Sequence, residues 1–374
     1  MSTLILSAQD VERVVSELTP DDLVNLMALV FSQLSSHSSH SNSDSDSDSG
    51  PDPTSSIIQP QRIAISMKNH TGLFMPSRIS SIGTAIKVVS VPSPNAPAEV
   101  RAKGLPGSTF VFDEDTGRVD AVVNASNLTA VRNAAGSLLS TRLLLGSSSP
   151  PTKLVTFGAG AQISAHITLF LTSYPTITHV TIYNRSLNAR LTTLLSSLQS
   201  QFSRVQFEAQ QLPDPSLPEN QRGNLKESLK DASIIVTATS STVPLFPSSF
   251  VSPGTHLCLI GSYKPTMHEV DSDLVLRARK VVVDSREACD EEAGELLTAK
   301  LPISNWIELG TLYDFDEHSG PVQWSPRKET IEDVRSAGDV TIFKSVGVGV
   351  QDVAIAHTVV KRAKELGVGV YVDL

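Results

Sequence analysis

Residues 153–162 read Lys-Leu-Val-Thr-Phe-Gly-Ala-Gly-Ala-Gln, and residues 163–173 continue as Ile-Ser-Ala-His-Ile-Thr-Leu-Phe-Leu-Thr-Ser. A β-branched and aromatic run ends at a glycine pair, and an apolar helical pattern starts directly behind it. Gly158 permits the tight turn out of the strand, and Gly160 lets backbone approach a pyrophosphate. The helix start at Ala161 and Gln162 supplies unpaired N–H groups and a partial positive charge. Ile163 occupies the third glycine position of the dinucleotide fingerprint, so the strand–turn–helix setting carries the reading.

The same alternation continues downstream. HVTIYNRS (179–186), VQFEAQ (205–210), ASIIVTAT (232–239), HLCLIGS (256–262) and KVVVDS (280–285) read as strands. Helical patterns at 187–202 and 224–231 separate the first of them, which implies right-handed crossovers and a doubly wound parallel sheet with both faces covered. At the end of the second strand an NAD site carries Asp or Glu for the ribose 2′-hydroxyl. Here the chain reads Asn184-Arg185-Ser186, with no carboxylate to repel a 2′-phosphate and a guanidinium able to fork onto one. NADP(H) is expected ahead of NAD(H).

Composition narrows the rest. The chain has 374 residues, with 30 Lys+Arg against 39 Asp+Glu and a net charge of −9, which argues against a nucleic-acid binder. Two cysteines exclude a disulfide scaffold and fit a reducing compartment. With no signal-like or membrane-spanning apolar run, the expected location is cytoplasmic. The first 34 residues read as two short helices, one capped by Ser7-x-x-Asp10 and one opened by Thr19-Pro20. Residues 35–56, SSHSSHSNSDSDSDSGPDPTSS, hold no large apolar side chain and read as a disordered insertion. His37 and His40 within it lack the walls of a metal site, and no metal is expected. Strands are expected at 63–66, 83–91, 108–113 and 119–123, and helices at 127–145 and 352–366.

Three cations stand in apolar surroundings. Lys87 interrupts Ala85-Ile86-Lys87-Val88-Val89, Arg132 sits in LTAVRNAAGS, and Arg62 follows Pro60 just before a strand. The period-2 rule makes Lys87 solvent-facing, and burial beside an anion is the other reading. Together the three could hold one carboxylate.

PQR (60–62), LFMP (73–76), IKVVSVPSPN (86–95), LTAVRNAA (128–135), GAGAQ (158–162), IIVTATSS (234–241), PGTHLCLIGS (253–262) and KSVGVGVQDVAIAH (344–357) resemble the ornithine cyclodeaminase/mu-crystallin family. The resemblance implies a Rossmann domain (136–339) inserted in a split α+β substrate-binding and dimerisation domain (1–34, 57–135 and 340–374), and a homodimer. It implies that Arg62, Lys87 and Arg132 grip a substrate carboxylate and that Thr237 and Gly261 line the nucleotide. Ser345 and Val346 are implied beside the nicotinamide and substrate.

One departure points within the family. Cyclodeaminases carry a catalytic Asp where this chain has Tyr263, in a register held by Gly261, Pro265 and Glu269. A phenol, with a reference pKa near ~10, is protonated at neutral pH and cannot act as that base. Lys87 and Tyr263 are therefore the catalytic candidates in an NAD(P)H-dependent reductase of cyclic ketimine carboxylates acting on a small imine or amino acid. Ornithine cyclodeaminase and a non-catalytic NADPH-binding protein are the alternatives. His256 and His268 are secondary candidates for the acid. Cys258 reads as core, Cys289 as an unreactive thiol, and Asp290, Glu291, Glu292 and Glu295 as a solvated helix face.

Overall fold

The computed structural model describes residues 2–41, 56–93, 95–102, 104–146, 150–214, 216–218, 221, 223–316 and 323–373. The chain divides into two compact units, Met1–Arg132 with Val348–Leu374 and Asn133–Gly347.

The first unit begins with β1 (Ser2–Leu6), α1 (Ala8–Val15) and α2 (Pro20–Ser41). It continues with β2 (Ile57–Ile58), β3 (Ile63–Ser66), β4 (His70–Ile79), β5 (Gly83–Pro92), α3 (Ala98–Ala102), β6 (Gly107–Phe112) and β7 (Val119–Asn124). The helix α4 (Leu128–Leu144) follows, and the division between units falls inside it, after Arg132.

The second unit alternates strand and helix. Its elements are β8 (Lys153–Phe157), α5 (Ala161–Ser173), β9 (His179–Asn184), α6 (Ala189–Gln201), β10 (Gln206–Gln211), α7 (Leu225–Lys230) and β11 (Ile234–Thr237). Next come β12 (His256–Leu259), α8 (Ser272–Ala278), β13 (Val281–Val283), α9 (Arg286–Glu292), α10 (Gly294–Ala299) and β14 (Trp306–Glu308). A hairpin of β15 (Tyr313–Asp316) and β16 (Gln323–Pro326), the helix α11 (Lys328–Arg335) and β17 (Thr341–Lys344) complete it. The chain then returns to the first unit with α12 (Gly349–Leu366) and β18 (Val370–Asp373).

In the first unit the strands run β18-β1-β7-β6-β5-β4-β2, with β3 paired to β4, and only the β1–β7 pair is parallel. The helix α12 packs across β4 to β7. Alternation along β5 drives this. Gly83, Ala85 and Lys87 point into the buried face while Thr84 and Ile86 are half-exposed.

In the second unit all eight main-sheet strands are parallel, in the order β10-β9-β8-β11-β12-β17-β13-β14. The order reverses between β8 and β11, which opens a crevice at their carboxyl ends. The core is built from wholly apolar strands, such as Val281–Val283 and Ile234–Val236, as a sheet covered on both faces requires.

Three expectations are corrected and one strand is added. Residues 2–6 form β1 because Leu4 and Leu6 are buried in a sheet pairing with β7 and β18. The expected insertion begins too early. Residues 35–41 continue α2, whose buried Met27, Val30, Phe31 and Leu34 carry the helix onward, and Ser35 is itself buried. Residues 42–55 of that insertion lie outside the described residues. The second unit ends after Gly347 instead of 339, since β17 pairs with β12 and β13, and it begins at 133 instead of 136. The strand β4, absent from the sequence reading, is the hub that joins β2, β3 and β5.

Candidate active site

At the carboxyl end of the second unit's sheet lies the turn between β8 and α5. Gly158 is buried with φ +118°, and a β-carbon there would press on the Ala238 carbonyl; only glycine fits both conditions. Around Gly160 a β-carbon would meet nothing, so open space lies beside it. No side chain caps α5, which leaves its first-turn N–H groups facing that space, as anion binding requires. The Gln162 side-chain oxygen is buried and has no hydrogen-bond partner. An orphaned acceptor, an uncapped helix start and a glycine-lined opening fit a dinucleotide.

A cleft of about 130 Å³ opens at the end of β9, lined by Ala159, Asn184, Arg185, Ser186, Asn188 and Arg190. The Asn184 amide donates to the Ser186 carbonyl at 2.7 Å, and Asn188 Nδ2 donates to Ser186 Oγ at 3.2 Å while its oxygen caps α6. These bonds order the loop. Arg185 and Arg190 are exposed, and among the described residues neither has a hydrogen-bond or ion-pair partner. The sequence analysis named Arg185 but not Arg190, the second residue of α6.

The floor of the crevice is organised by Glu269, which is fully buried. Its carboxylate accepts from Thr237 Oγ1 at 2.8 Å, Thr239 N at 2.6 Å, Thr239 Oγ1 at 2.8 Å and Gly261 N at 2.6 Å. Burial pushes its pKa up, against the opposing pull of Lys344 and the Thr239 donors. The Thr237 hydroxyl and the Gly261 N–H therefore turn inward to Glu269 and are not offered to a ligand. A β-carbon on Gly261 would land on the Thr239 backbone and Glu269.

Ser345 and Val346 are buried just after β17. Ser345 Oγ donates to Asp284 Oδ2 at 2.6 Å, and the same oxygen accepts from Gly347 N at 2.8 Å. Tyr263 is half-buried on the loop after β12, with Lys264 Nζ 5.7 Å from the centre of its ring.

Lys87 and Arg132 come together in the first unit, around an anion the sequence reading did not single out. Lys87 Nζ lies 2.6 Å from Asp352 Oδ2. Arg132 donates to the same carboxylate from Nε at 3.2 Å and Nη2 at 3.4 Å, and from Nη1 to Gln351 Oε1 at 2.6 Å. Lys87 and Arg132 are 4% and 3% exposed. The solvent-facing expectation for Lys87 is thus corrected: the lysine points into the sheet's covered face, where α12 brings Asp352. The signal available was an acid in the otherwise apolar run GVQDVAIAH.

Burial lowers the Lys87 pKa to about 8; Asp352 opposes this, and Arg132 and the nearby Arg62 add to it. Arg62 is half-buried just before β3. Asp352 is held below the usual carboxylate range: burial would raise it, and Arg132 and Lys87 together outweigh that cost.

The remaining titratable groups differ in burial and partners. His256 is fully buried in β12, bonded to Thr341 Oγ1 at 2.8 Å and lowered by burial to about 3, so it is no acid. His268 is tied to Thr298 Oγ1 at 2.6 Å. Cys258 is core, as expected, its thiol pushed by burial to about 12. Cys289 is buried too and raised by burial and Asp284. Glu295 corrects the solvated-face expectation. Whereas Asp290 and Glu291 are exposed, Glu295 is fully buried against Lys344, with Nζ 3.4 Å from Oε1.

Comparison with known proteins finds relatives over most of the chain. A model of the ornithine cyclodeaminase/mu-crystallin family matches residues 45–367. The Delta(1)-pyrroline-2-carboxylate reductase of Bacillus cereus is 30% identical over 323 residues, covering 83% of this chain and 88% of the relative. Ketimine reductase mu-crystallin of Mus musculus is 27% identical over 316 residues, covering 83% and 86%. Among solved structures, Thermococcus litoralis Delta(1)-pyrroline-2-carboxylate reductase in complex with NADH and L-proline superposes with a TM-score of 0.75 at 21% identity, covering 99% of this chain and 100% of that one.

Proposed function

Because the chain belongs to the ornithine cyclodeaminase/mu-crystallin family, we propose that it is an NAD(P)H-dependent reductase of cyclic ketimine carboxylates of the pyrroline-2-carboxylate or piperideine-2-carboxylate type. The product is the cyclic amino acid. The observation that carries this reading is the buried pair of cations, Lys87 and Arg132, in a chain whose relatives reduce such imines.

A reduced nicotinamide supplies a hydride when bound. The work of this chain is to hold the reactants in register, which alone lowers the barrier by several kcal/mol in well-oriented systems. Arg132 and Arg62 bind the substrate carboxylate as planar forks, and Lys87 adds a third positive charge. Hydride addition is easier on a protonated imine. The Lys87 ammonium, with a pKa of about 8, is an acid able to give up a proton near neutrality. Tyr263 adds a hydrogen-bond donor. Cyclodeamination of ornithine is not favoured, since Tyr263 stands where that reaction needs a carboxylate.

NADP(H) is the preferred cofactor in this reading, with NAD(H) as the alternative. It is supported by Arg185 and Arg190 beside Ser186, which among the described residues have no partner and share a cleft lined by no carboxylate. Gly158, Gly160, Ala161 and Gln162 would hold the pyrophosphate, and Ser345 and Val346 would line the nicotinamide end. A homodimer is supported by the exposed apolar Ile63, Ile65 and Met67 on and beside β3. No helix among the described residues is long and apolar enough to cross a membrane. Two free, buried cysteines fit a cytoplasmic enzyme.

The test is NADPH oxidation with Delta(1)-pyrroline-2-carboxylate, with proline identified as the product. Turnover with no ammonia release from ornithine supports the reading. Ammonia from ornithine without added reductant replaces it with cyclodeamination, and NADPH binding with no imine turned over replaces it with a binding protein.

A further inference from the structure

The two buried cations assigned above to the substrate share one anion of the chain itself. We infer that Asp352 is the positioning residue of the carboxylate clamp, fixing the Lys87 ammonium and the Arg132 guanidinium in one orientation and keeping Lys87 cationic. The inference deepens the reductase reading and rests on it.

The geometry is that of a bracket. Asp352 Oδ2 takes Lys87 Nζ at 2.6 Å, and its two oxygens take Arg132 Nη2 and Nε at 3.4 and 3.2 Å. Gln351, the preceding residue, accepts Arg132 Nη1 at 2.6 Å and the Val348 N–H at 3.1 Å. Both residues lie in the first turn of α12, where an acid is also favoured by the helix dipole. That turn is itself anchored. Val350 N donates to Gln59 Oε1 at 3.0 Å, and Gly349 sits against Ser77 of β4 so closely that no β-carbon would fit. Three elements, β5, α4 and α12, thus converge on one carboxylate.

Charge explains why an anion is needed. Lys87 faces Asp352 on α12, Arg132 on α4 and Arg62 before β3; its register partners on the flanking strands, Met75 and Thr109, do not titrate. Two like charges and burial all favour the neutral amine. Among the described residues only Asp352 opposes them. Without it Lys87 sheds its proton at a lower pH and loses both its hold on an anion and its acid.

The experiment compares wild type with Asp352→Asn, which keeps the shape and removes the charge, by NADPH oxidation with Delta(1)-pyrroline-2-carboxylate across pH 5–10. The expected result is a kcat/KM about 100-fold lower at pH 8 and an alkaline limb displaced down by about one pH unit or more, as loss of a paired charge implies. NADPH affinity, read by fluorescence, stays within about twofold of wild type, since α12 carries no nucleotide contact in this account. A limb at the wild-type pH together with unchanged kcat/KM overturns the inference. If Asp352→Asn does not fold, Asp352→Glu decides. A wild-type limb with KM raised about fivefold or more supports positioning, because charge is kept and geometry lost, and an unchanged KM contradicts it. Lys87→Met and Arg132→Met separate the two levels. Full activity in both removes the clamp reading itself, whereas their loss beside an active Asp352→Asn removes only the role of Asp352.

Discussion

Asp352 Oδ2 lies 2.6 Å from Lys87 Nζ, and the two side chains are each 4% exposed, so the pair is almost wholly buried although its members are far apart in the chain. The lysine pKa of about 8 reflects the contest between burial, which lowers it, and Asp352, which raises it.

That contest sets a pH dependence with a definite sign. Below about pH 8 Lys87 is cationic and can hold a carboxylate and give up a proton; above it the amine is neutral and both are lost. The expected kcat/KM is level between pH 6 and 7.5 and falls about tenfold per unit well above pH 8, as for a single titrating acid. In Lys87→Arg the charge no longer titrates, so the limb near pH 8 disappears at a lower absolute rate. A limb unchanged in Lys87→Arg would assign it to the substrate instead of the lysine.

Arg185 and Arg190 face one cleft and, among the described residues, have no partners. Arg185→Ala is expected to raise KM for NADPH about tenfold or more while leaving NADH within about twofold, because only NADPH carries the phosphate such charge-assisted bonds recognise. Arg190→Ala acts in the same direction, and the double variant prefers NADH. Steady-state kinetics with both cofactors read the outcome; equal losses with NADH and NADPH would move these arginines from selectivity to a general electrostatic role.

Lys344 is fully buried, donates to the Ser262 carbonyl at 2.7 Å and pairs with Glu295, whose other oxygen has no partner. Lys344→Met strands Glu295 and removes the cation that favours ionised Glu269. A loss of about 3–5 kcal/mol in unfolding free energy is expected from denaturant titration, with much of it recovered in Lys344→Met/Glu295→Leu.

The second unit was largely legible because strand–turn–helix alternation and the Gly158–Gly160 pair are local patterns. Lys87, Arg132 and Arg62 stood out in sequence as charges in apolar company. What joined Lys87 and Arg132 did not, since Asp352 reaches Lys87 only after α12 folds across β5, and no spacing rule links residues so far apart. Lys344 and Glu295 were missed for the same reason: each looks solvated until its partner is placed beside it. Thr237 and Gly261 were expected along the nucleotide; Thr237 closes β11, Gly261 follows β12, and Glu269 turns the Thr237 hydroxyl and the Gly261 N–H inward.

Recognition of a carboxylate beside a reducible C=N bond is the activity to be tested. The most direct measurement compares NADPH oxidation with Delta(1)-pyrroline-2-carboxylate and with the same five-membered cyclic imine lacking the carboxyl group. For the ring without the carboxylate, kcat/KM is expected to be lower by about 100-fold or more, the scale of a lost buried charge pair. Equal rates on the two rings would contradict it.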